Sequence, residues 1–205
     1  MVNTFLPFRD FKKVAKCLDM KRLGKQRLEC KQIINLLEYI DGCIYSQEEK
    51  GELVLDYKFR KTVFYKDETP FEIKAQYHED KLKKPRKIAW INHPAIKMWI
   101  GYTRALKEYY NVMVTEWIER GYKNTMELYE INENIVYPWW IDWKMLHLTH
   151  QASLNRKDPK YYHFEVPEEY TKYTYIWPCN LSVHKVKKLK KDLYHYSLER
   201  LTELI

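Results

Sequence analysis

The chain has 205 residues, 45% of them hydrophobic, which is enough for one folded domain with a sizeable core. Its 36 Lys and Arg residues against 28 Asp and Glu residues give a net charge of +8, a balance that favours a partner rich in phosphate. No apolar run approaches the roughly 18 residues of a membrane span, and residues 1–7 lack the basic start and long apolar stretch of a signal peptide, so we expect a soluble, intracellular protein without a membrane partner.

The first predicted elements are helices within the first forty residues, after Pro7. Apolar side chains recur at helical spacing between Leu28 and Ile40, while Asp10 and Asp19 stand where N-caps are expected. Gly42 is the predicted stop. Residues 44–87 differ, because β-prone runs alternate with charged clusters there, and we predict an inserted hairpin or irregular excursion on the helical body.

The clearest predicted helix runs from about Pro94 to Arg120, with a proline at its first position and Gly121 as its stop. A third helix is predicted at about Lys144 to Arg156, ended by the Asp158-Pro159 pair.

Beyond this helix, the aromatic stretch Tyr161–Trp177 is predicted to be coil packed on the helical body. The segment from His184 to Ile205 has apolar residues at roughly helical spacing, which predicts an extra C-terminal helix with a lysine-rich face. The chain is thus predicted to be one mainly α domain over residues 1–205, with an insertion at about 44–87 and a helical extension at about 183–205.

The four cysteines, Cys17, Cys30, Cys43 and Cys179, show no C-x-x-C spacing and are predicted to be reduced, buried thiols. His147 and His150 are spaced i,i+3 but lack a third ligand at a recognisable spacing, so no metal site is predicted.

The stretch Lys21–Glu29 packs four cations and an amide into seven residues. At about 3.6 residues per turn, Arg22, Lys25, Gln26 and Glu29 fall on one helix face. Spacing alone slightly favours an ordinary solvated face, in which Lys25 and Glu29 form an i,i+4 pair. The alternative is a surface that contacts phosphate groups.

This basic stretch is one of several short motifs that occur in a characteristic order along the chain. The motifs are Asn3-Thr4-Phe5-Leu6-Pro7, Lys21-Arg22-Leu23-Gly24-Lys25-Gln26-Arg27, Asn92-His93-Pro94-Ala95, Arg120-Gly121-Tyr122, His150-Gln151-Ala152-Ser153, Arg156-Lys157-Asp158-Pro159 and Tyr175-Ile176-Trp177-Pro178. Together they resemble the pyrimidine-dimer DNA glycosylase family, whose best-known member is endonuclease V of phage T4. The resemblance covers about residues 1–42 and 89–178.

The resemblance implies a compact helical domain of the T4 endonuclease V type, acting as a monomer on damaged double-stranded DNA. It implies a DNA glycosylase with abasic-site lyase activity and no metal or other cofactor, in which the N-terminal α-amine attacks C1′ of the sugar. Val2 is small enough for Met1 to be removed, so Val2 is expected to carry that amine. The residues expected to contact DNA are Asn3, Arg22, Lys25, Gln26, Arg27, His93, His150, Arg156 and Lys157; His93 is equally suited to cap a helix.

The chain departs from the phage pattern at the family's glutamate, which directly follows the first arginine there. Leu23 follows Arg22 here, so the resemblance leaves Glu29 as the catalytic carboxylate, with Gln26 as a replacement that orients without exchanging protons. Three alternatives stay open: a non-catalytic DNA-binding or packaging protein of the same fold, a glycosylase for another damaged base, and a metal-dependent nuclease.

Overall fold

A computed structural model describes residues 3–48, 62–66, 69–73, 93–99, 102–131, 135–178, 187–188 and 194–198. The described part is mainly helical, as predicted. Its helices are α1 (Phe11–Cys17), α2 (Met20–Glu48), α3 (Pro94–Lys97), α4 (Thr103–Glu119), a short 3-10 helix (Trp139–Asp142), α5 (Lys144–Lys157) and α6 (Glu168–Thr171). No helix in these ranges is both long and apolar enough to cross a bilayer.

Both predicted N-caps in the first forty residues are confirmed. The Asp10 carboxylate accepts hydrogen bonds from the backbone N–H groups of Lys12 at 2.7 Å and Lys13 at 3.1 Å. Asp19 accepts one from the Arg22 N–H at 3.0 Å, at the start of α2. The predicted stop at Gly42 is wrong, because α2 continues to Glu48. A glycine inside a helix costs only about 1 kcal/mol relative to alanine, which is too little to end a helix by itself.

The predicted helix from Pro94 to Arg120 is divided into α3 and α4, so the prediction of one continuous helix is wrong. His93 caps α3, since its Nδ1 accepts a hydrogen bond from the Ala95 N–H at 3.1 Å. Of the two roles considered for His93, the structure therefore supports the cap.

The predicted stop at Gly121 is confirmed. Gly121 has φ +80°, the left-handed conformation that glycine adopts without strain. Its N–H donates to the Ile118 carbonyl at 2.8 Å, and the Tyr122 N–H donates to the Trp117 carbonyl at 3.2 Å. The Trp117 and Tyr122 rings also lie 4.3 Å apart, which completes a Schellman motif with its hydrophobic contact.

The strands are β1 (Thr62–Lys66), β2 (Thr69–Ile73), β3 (Tyr173–Pro178), β4 (Lys187–Lys188) and β5 (Tyr194–Leu198). β1 and β2 form an antiparallel pair within the predicted excursion, most of which lies outside the described residues. That residues 44–87 are an insertion, and that all 205 residues form one domain, therefore stay predictions.

Two predictions for the end of the chain are wrong. β3 replaces part of the predicted coil, and β5 lies where a C-terminal helix was expected, with β4 antiparallel to it. β5 pairs in parallel with β3, placing Ile176 opposite Tyr196. Tyrosine suits strands, so pairing between distant segments outweighed the helical spacing of the leucines.

The core lies where α1 and α2 pack on α4, and it also takes in the N-terminal segment and parts of α5 and β3. Its largest fully buried side chains are Trp99, Trp140, Tyr109, Tyr110, Leu6, Leu18, Leu23, Ile33, Ile34 and Leu37. Most of the described aromatic residues are thus core, as expected from the sequence.

Gly24 on α2 packs directly against Trp117 on α4. A Cβ atom at this position would lie 2.9 Å from Cζ3 of Trp117. That ring is held by the Arg27 guanidinium 3.8 Å from its centroid and by a 3.0 Å hydrogen bond from its Nε1 to the Lys123 carbonyl. The indole therefore has little freedom to move away.

We expect Gly24→Ala to lower the free energy of unfolding by about 1–2 kcal/mol, because overpacking costs about 1–3 kcal/mol and alanine regains at most about 1 kcal/mol of helix propensity. Urea unfolding measures the change. Gln32→Ala, at an exposed position of α2, is the matched control and should leave stability unchanged. If both variants have the same free energy of unfolding, the Trp117 indole moves aside to accept the added methyl group.

Candidate active site around the N-terminal segment

Residues 3–7, here called the N-terminal segment, run through the core and are all buried. Buried backbone N–H and C=O groups need hydrogen-bond partners. This segment belongs to no helix or sheet, so its partners are side chains of α2, α4 and α5. These contacts fix the position of the first described residue, Asn3.

Gln26 on α2 provides the largest share of these contacts and has no exposed surface. Its Oε1 accepts a hydrogen bond from the Phe5 N–H at 2.9 Å. The Tyr109 hydroxyl lies 2.9 Å from the same oxygen and donates to the Phe5 carbonyl at 2.7 Å. Gln26 Nε2 donates to the Asn3 carbonyl at 2.9 Å and to Glu29 Oε2 at 3.1 Å, which ties the segment to the Glu29 carboxylate.

α5 holds the other end of the segment. The Leu6 N–H donates to Nδ1 of His150 at 3.0 Å, and Gln151 Nε2 donates to the Pro7 carbonyl at 2.8 Å. Burial, with a smaller effect of His147, lowers the pKa of His150 to about 3, so its imidazole is neutral and accepts this bond. The neutral imidazole contributes to the free energy of unfolding above the ordinary histidine pKa near 6.5. This contribution is lost as the pH falls from 6.5 toward 3.

Two further side chains fix the segment from the sides. His147 Nδ1 lies 2.8 Å from the Leu6 carbonyl, and Trp99 Nε1 donates to the Thr4 hydroxyl at 3.0 Å. The segment is thus hydrogen-bonded to side chains of α2, of α5 and of Trp99, and these bonds fix its path.

Glu29 lies beside the start of the segment and is buried. Its Oε2 accepts a hydrogen bond from the Asn3 backbone N–H at 3.4 Å, and its Oε1 is 3.3 Å from Lys25 Nζ. Burial raises the pKa of Glu29, and Lys25 opposes this shift. A buried carboxyl group with a raised pKa, next to the Asn3 backbone N–H, is suited to take up and return protons.

Lys25 and Lys157 place positive charge around this carboxylate. The Lys25 side chain is 56% exposed, so it can reach a ligand outside the protein. Lys157, the last residue of α5, has its Nζ 5.9 Å from the Phe5 ring centroid. Burial lowers the pKa of Lys157, and the charges of Arg22 and Lys25 lower it further.

Arg22 is on the same face of α2 but is already paired. Its guanidinium forms an ion pair with Asp19 and lies 3.6 Å from an Asp158 carboxylate oxygen and 5.2 Å from the Tyr162 ring centroid. The Tyr162 hydroxyl donates to the same Asp19 carboxylate at 2.6 Å. Arg22 therefore joins α2 to the residues that follow α5, which limits its freedom to meet a phosphate.

Arg27 and Arg156, also expected to contact DNA, have structural contacts as well. Arg27 is buried and donates to the Asn124 side chain at 3.0 Å. Arg156 donates to the Thr171 carbonyl at 2.6 Å and to the Tyr173 carbonyl, linking α5 to β3.

The structure brings Asn3, Lys25, Gln26, Glu29 and Lys157 together around one point. His93 lies apart from this group, as the cap of α3. Gln26 and His150 are fully buried, and their hydrogen bonds favour positioning the N-terminal segment over the direct DNA contact expected from the sequence. Val2 lies outside the described residues.

Sequence reasoning missed the roles of Tyr109, Trp99 and Gln151, which bond to the segment. Tyr109 and Trp99 also belong to the hydrophobic core. Their residue types were the available signal. Tyr O–H and Trp N–H groups usually find a hydrogen-bond partner when buried, so a Tyr or Trp expected in the core indicates a polar partner nearby.

We expect Gln26→Leu to destabilise the fold by roughly 2–4 kcal/mol, since it leaves several buried partners unpaired at about 1–3 kcal/mol each. Thermal unfolding measures this. Gln32→Leu, at an exposed position of the same helix, should have a small effect and serves as the control. A Gln26→Leu protein as stable as its parent would mean that the segment finds other partners.

The described residues contain no group of three or more His, Cys, Asp or Glu side chains arranged to hold a metal ion. Cys17 and Cys30 are free thiols; Cys30 is buried as predicted, whereas Cys17 is half-buried. Burial raises the pKa of Cys17 to about 12 and also raises that of Cys30, which disfavours the nucleophilic thiolate of both. The thiols of Cys43 and Cys179 lie outside the part of the chain whose side chains are described.

Comparison with known proteins gives one match. The sequence model of the family described as pyrimidine dimer DNA glycosylase matches residues 2–130, which is more than half of the 205 residues. The matched region includes the N-terminal segment, α2 and Glu29. No curated protein and no solved structure matches the chain significantly.

Proposed function

The chain belongs to the pyrimidine dimer DNA glycosylase family, which implies glycosylase function with DNA as its partner, and we propose that it excises pyrimidine dimers and cleaves the resulting abasic site through its N-terminal amine. The observation that carries the proposal is the contact between the Asn3 backbone N–H and the buried Glu29 carboxylate. This contact supports an arrangement of a terminal amine beside an acid–base group.

The covalent chain supports Val2 as the residue that bears the amine. Consecutive Cα atoms are about 3.8 Å apart, so the α-nitrogen of Val2 can lie only a few ångströms from the Asn3 nitrogen, wherever the chain leads. An α-amino group titrates near 8 and an ordinary lysine near 10.4, so at pH 7 the terminal amine has about a hundredfold more free base. It is therefore the better nucleophile once Met1 is removed.

The reaction proposed for this site has four steps. The Val2 amine attacks C1′ of the damaged nucleotide and displaces the base. The C1′–O4′ bond of the sugar ring then breaks, O4′ takes up a proton and the nitrogen loses one, which gives an imine at C1′. Glu29 stabilises the cationic sugar and then takes the C2′ proton. β-Elimination expels the 3′ phosphate and cuts the strand, and water hydrolyses the imine to release the protein. The raised pKa of Glu29 suits these proton transfers near neutral pH.

Lys25 is the side chain best placed to hold a backbone phosphate next to the reacting sugar, because it is exposed and adjacent to Glu29. We expect Lys25→Ala to reduce the log-log slope of DNA affinity against salt by roughly one unit. Fluorescence anisotropy with undamaged duplex measures the slope. Lys144→Ala, at the start of α5, is the control and should leave the slope unchanged. Equal slopes for both variants would show that Lys25 does not contact a phosphate.

The function is tested with duplexes that contain a thymine dimer, an abasic site or no lesion, in the presence of EDTA. We expect strand cleavage of the first two duplexes and none of the third. Borohydride should trap a covalent complex whose cross-linked peptide begins at Val2. Cleavage that requires a divalent metal would favour a nuclease. Specific binding without cleavage or trapping would favour a DNA-binding protein of the same fold, in which the displaced glutamate marks lost catalysis.

A further inference from the structure

Lys157 lies on the face of α5 that holds the N-terminal segment. It follows His150 by seven residues, which is about two helical turns, so the two side chains share that face. His150 bonds to Leu6, and the Lys157 amine is next to the Phe5 ring, closer to the start of the segment. The lysine amine, on α5, thus lies near the described start of the N-terminal segment.

The Lys157 amine is not committed to a carboxylate. None of the ion pairs in the described part of the chain involves Lys157. Glu29 interacts with it electrostatically, but Arg22, Lys25 and Arg156 repel its positive charge. Lys157 thus has an amine without an ion-pair partner among the described residues, and Glu29, the proposed acid–base group, interacts with it electrostatically.

This environment makes Lys157 more reactive than an ordinary lysine. Although the Lys157 side chain keeps exposed surface, desolvation and the surrounding cations lower its pKa, and only a neutral amine is nucleophilic. The same combination of desolvation and a neighbouring cation activates imine-forming lysines in general. Lys144, also exposed, is at the opposite end of α5, so it provides a comparison on the same helix.

We propose that Lys157 is a second imine-forming amine of the site, with the ring-opened aldehyde of abasic DNA as its substrate. The inference rests on the proposed function, since it uses the same DNA-binding site and the same carboxylate. The Nζ lone pair attacks the C1′ aldehyde, and the carbinolamine loses water to give an imine. Glu29 accepts the C2′ proton, the 3′ phosphate leaves, and water hydrolyses the imine to restore the lysine.

Lys157 would thus act on abasic sites but not on intact lesions. An aldehyde already presents an electrophilic carbon, whereas a pyrimidine dimer requires displacement of a base by an amine placed against C1′. The terminal amine would act on both pyrimidine dimers and abasic sites, whereas Lys157 would act only on abasic sites. A chain with a blocked terminus would therefore keep a slow lyase activity without glycosylase activity.

The test uses full-length protein with two extra residues retained before Val2, the first of them N-acetylated so that no free α-amine remains, incubated with an abasic duplex and borohydride. We expect residual trapping about ten- to a hundredfold slower at pH 7 than with the free terminus, and rising about tenfold per pH unit, as the neutral fraction of a lysine does. The cross-linked peptide should contain Lys157. Lys157→Arg in the extended protein should remove this trapping while keeping the charge, and Lys144→Arg should not.

The inference is overturned if the extended protein gives no trapping, if the cross-link maps to another residue, or if Lys157→Arg leaves the trapping unchanged. Thermal unfolding verifies that the variants fold, and Lys157→Gln replaces Lys157→Arg if that variant does not. The protein with a free terminus separates the two proposals. A cross-link at Val2 there, with none at Lys157 after extension, refutes only the inference, whereas no cross-link at Val2 refutes the proposed function.

Discussion

A protein that retains two extra residues before Val2, the first of them N-acetylated, is expected to lose excision of pyrimidine dimers while keeping its affinity for duplex DNA. The extension converts the α-amine into an amide, which has no nucleophilic lone pair, whereas the 36 Lys and Arg side chains that attract phosphate are unchanged. At pH 7 we expect a loss of at least about a hundredfold, the ratio of free base between an α-amine and an ordinary lysine. Single-turnover excision from a dimer-containing duplex measures it.

The control is the same extended protein after protease removal of the added residues, which should regain activity. Intact-mass measurement of the natural chain should show Val2 as the first residue, because a small second residue favours removal of Met1. Binding of undamaged duplex should agree among the three forms. Full dimer excision by the extended protein would show that a side-chain amine is the nucleophile, and a parallel loss of DNA affinity would show that the extension disturbs the fold.

Glu29→Gln is expected to lower the rate of base release by about 10²–10⁴-fold, the usual contribution of a general acid–base group, with DNA affinity retained. Glutamine preserves the size of the side chain and an oxygen that can accept the Asn3 N–H, but it cannot exchange protons. Single-turnover rates and imine trapping on a dimer-containing duplex measure the effect. Glu38→Gln, at an exposed position on the same helix, should retain the full rate.

The stability of Glu29→Gln separates a catalytic role from a structural one. Burial raises the pKa of Glu29 above its ordinary value of 4.5, so between these two pKa values the unfolded chain has released a proton that the folded protein retains. The stability of the parent protein therefore falls as pH rises through that window, and the variant lacks this loss. We expect the variant to be at least as stable at neutral pH. A large drop in melting temperature would instead indicate a buried structural ion pair.

The local features of the fold could be predicted from the sequence. Asp10 and Asp19 cap helices because their carboxylates reach N–H groups two or three residues ahead, and Gly121 ends α4 because it adopts positive φ without strain. Such features depend on a few adjacent residues. The pairing of β5 with β3 and the break between α3 and α4 depend on distant contacts, and the sequence predictions for both were wrong.

The same distinction applies to the candidate site. The spacing of the basic helix identified a face carrying Lys25, Gln26 and Glu29, and the order of the motifs indicated the family. Nothing in the spacing indicated that Gln26 is buried against the N-terminal segment while Lys25 is exposed. A helical pattern states which residues share a face but not what covers that face.

Only the tertiary structure decided what the residues of the basic stretch and of α5 do. His150 lies 144 positions from Leu6 in the chain, yet their hydrogen bond helps to fix the path of the segment that leads to Asn3. By itself the sequence determined the helical character, the helix ends at Asp10, Asp19 and Gly121, and the family, because these depend on local propensity and ordered motifs. Burial decided the rest: it turned Gln26 and His150 into anchors and left Lys25 at the surface, since buried polar groups must find partners within the protein.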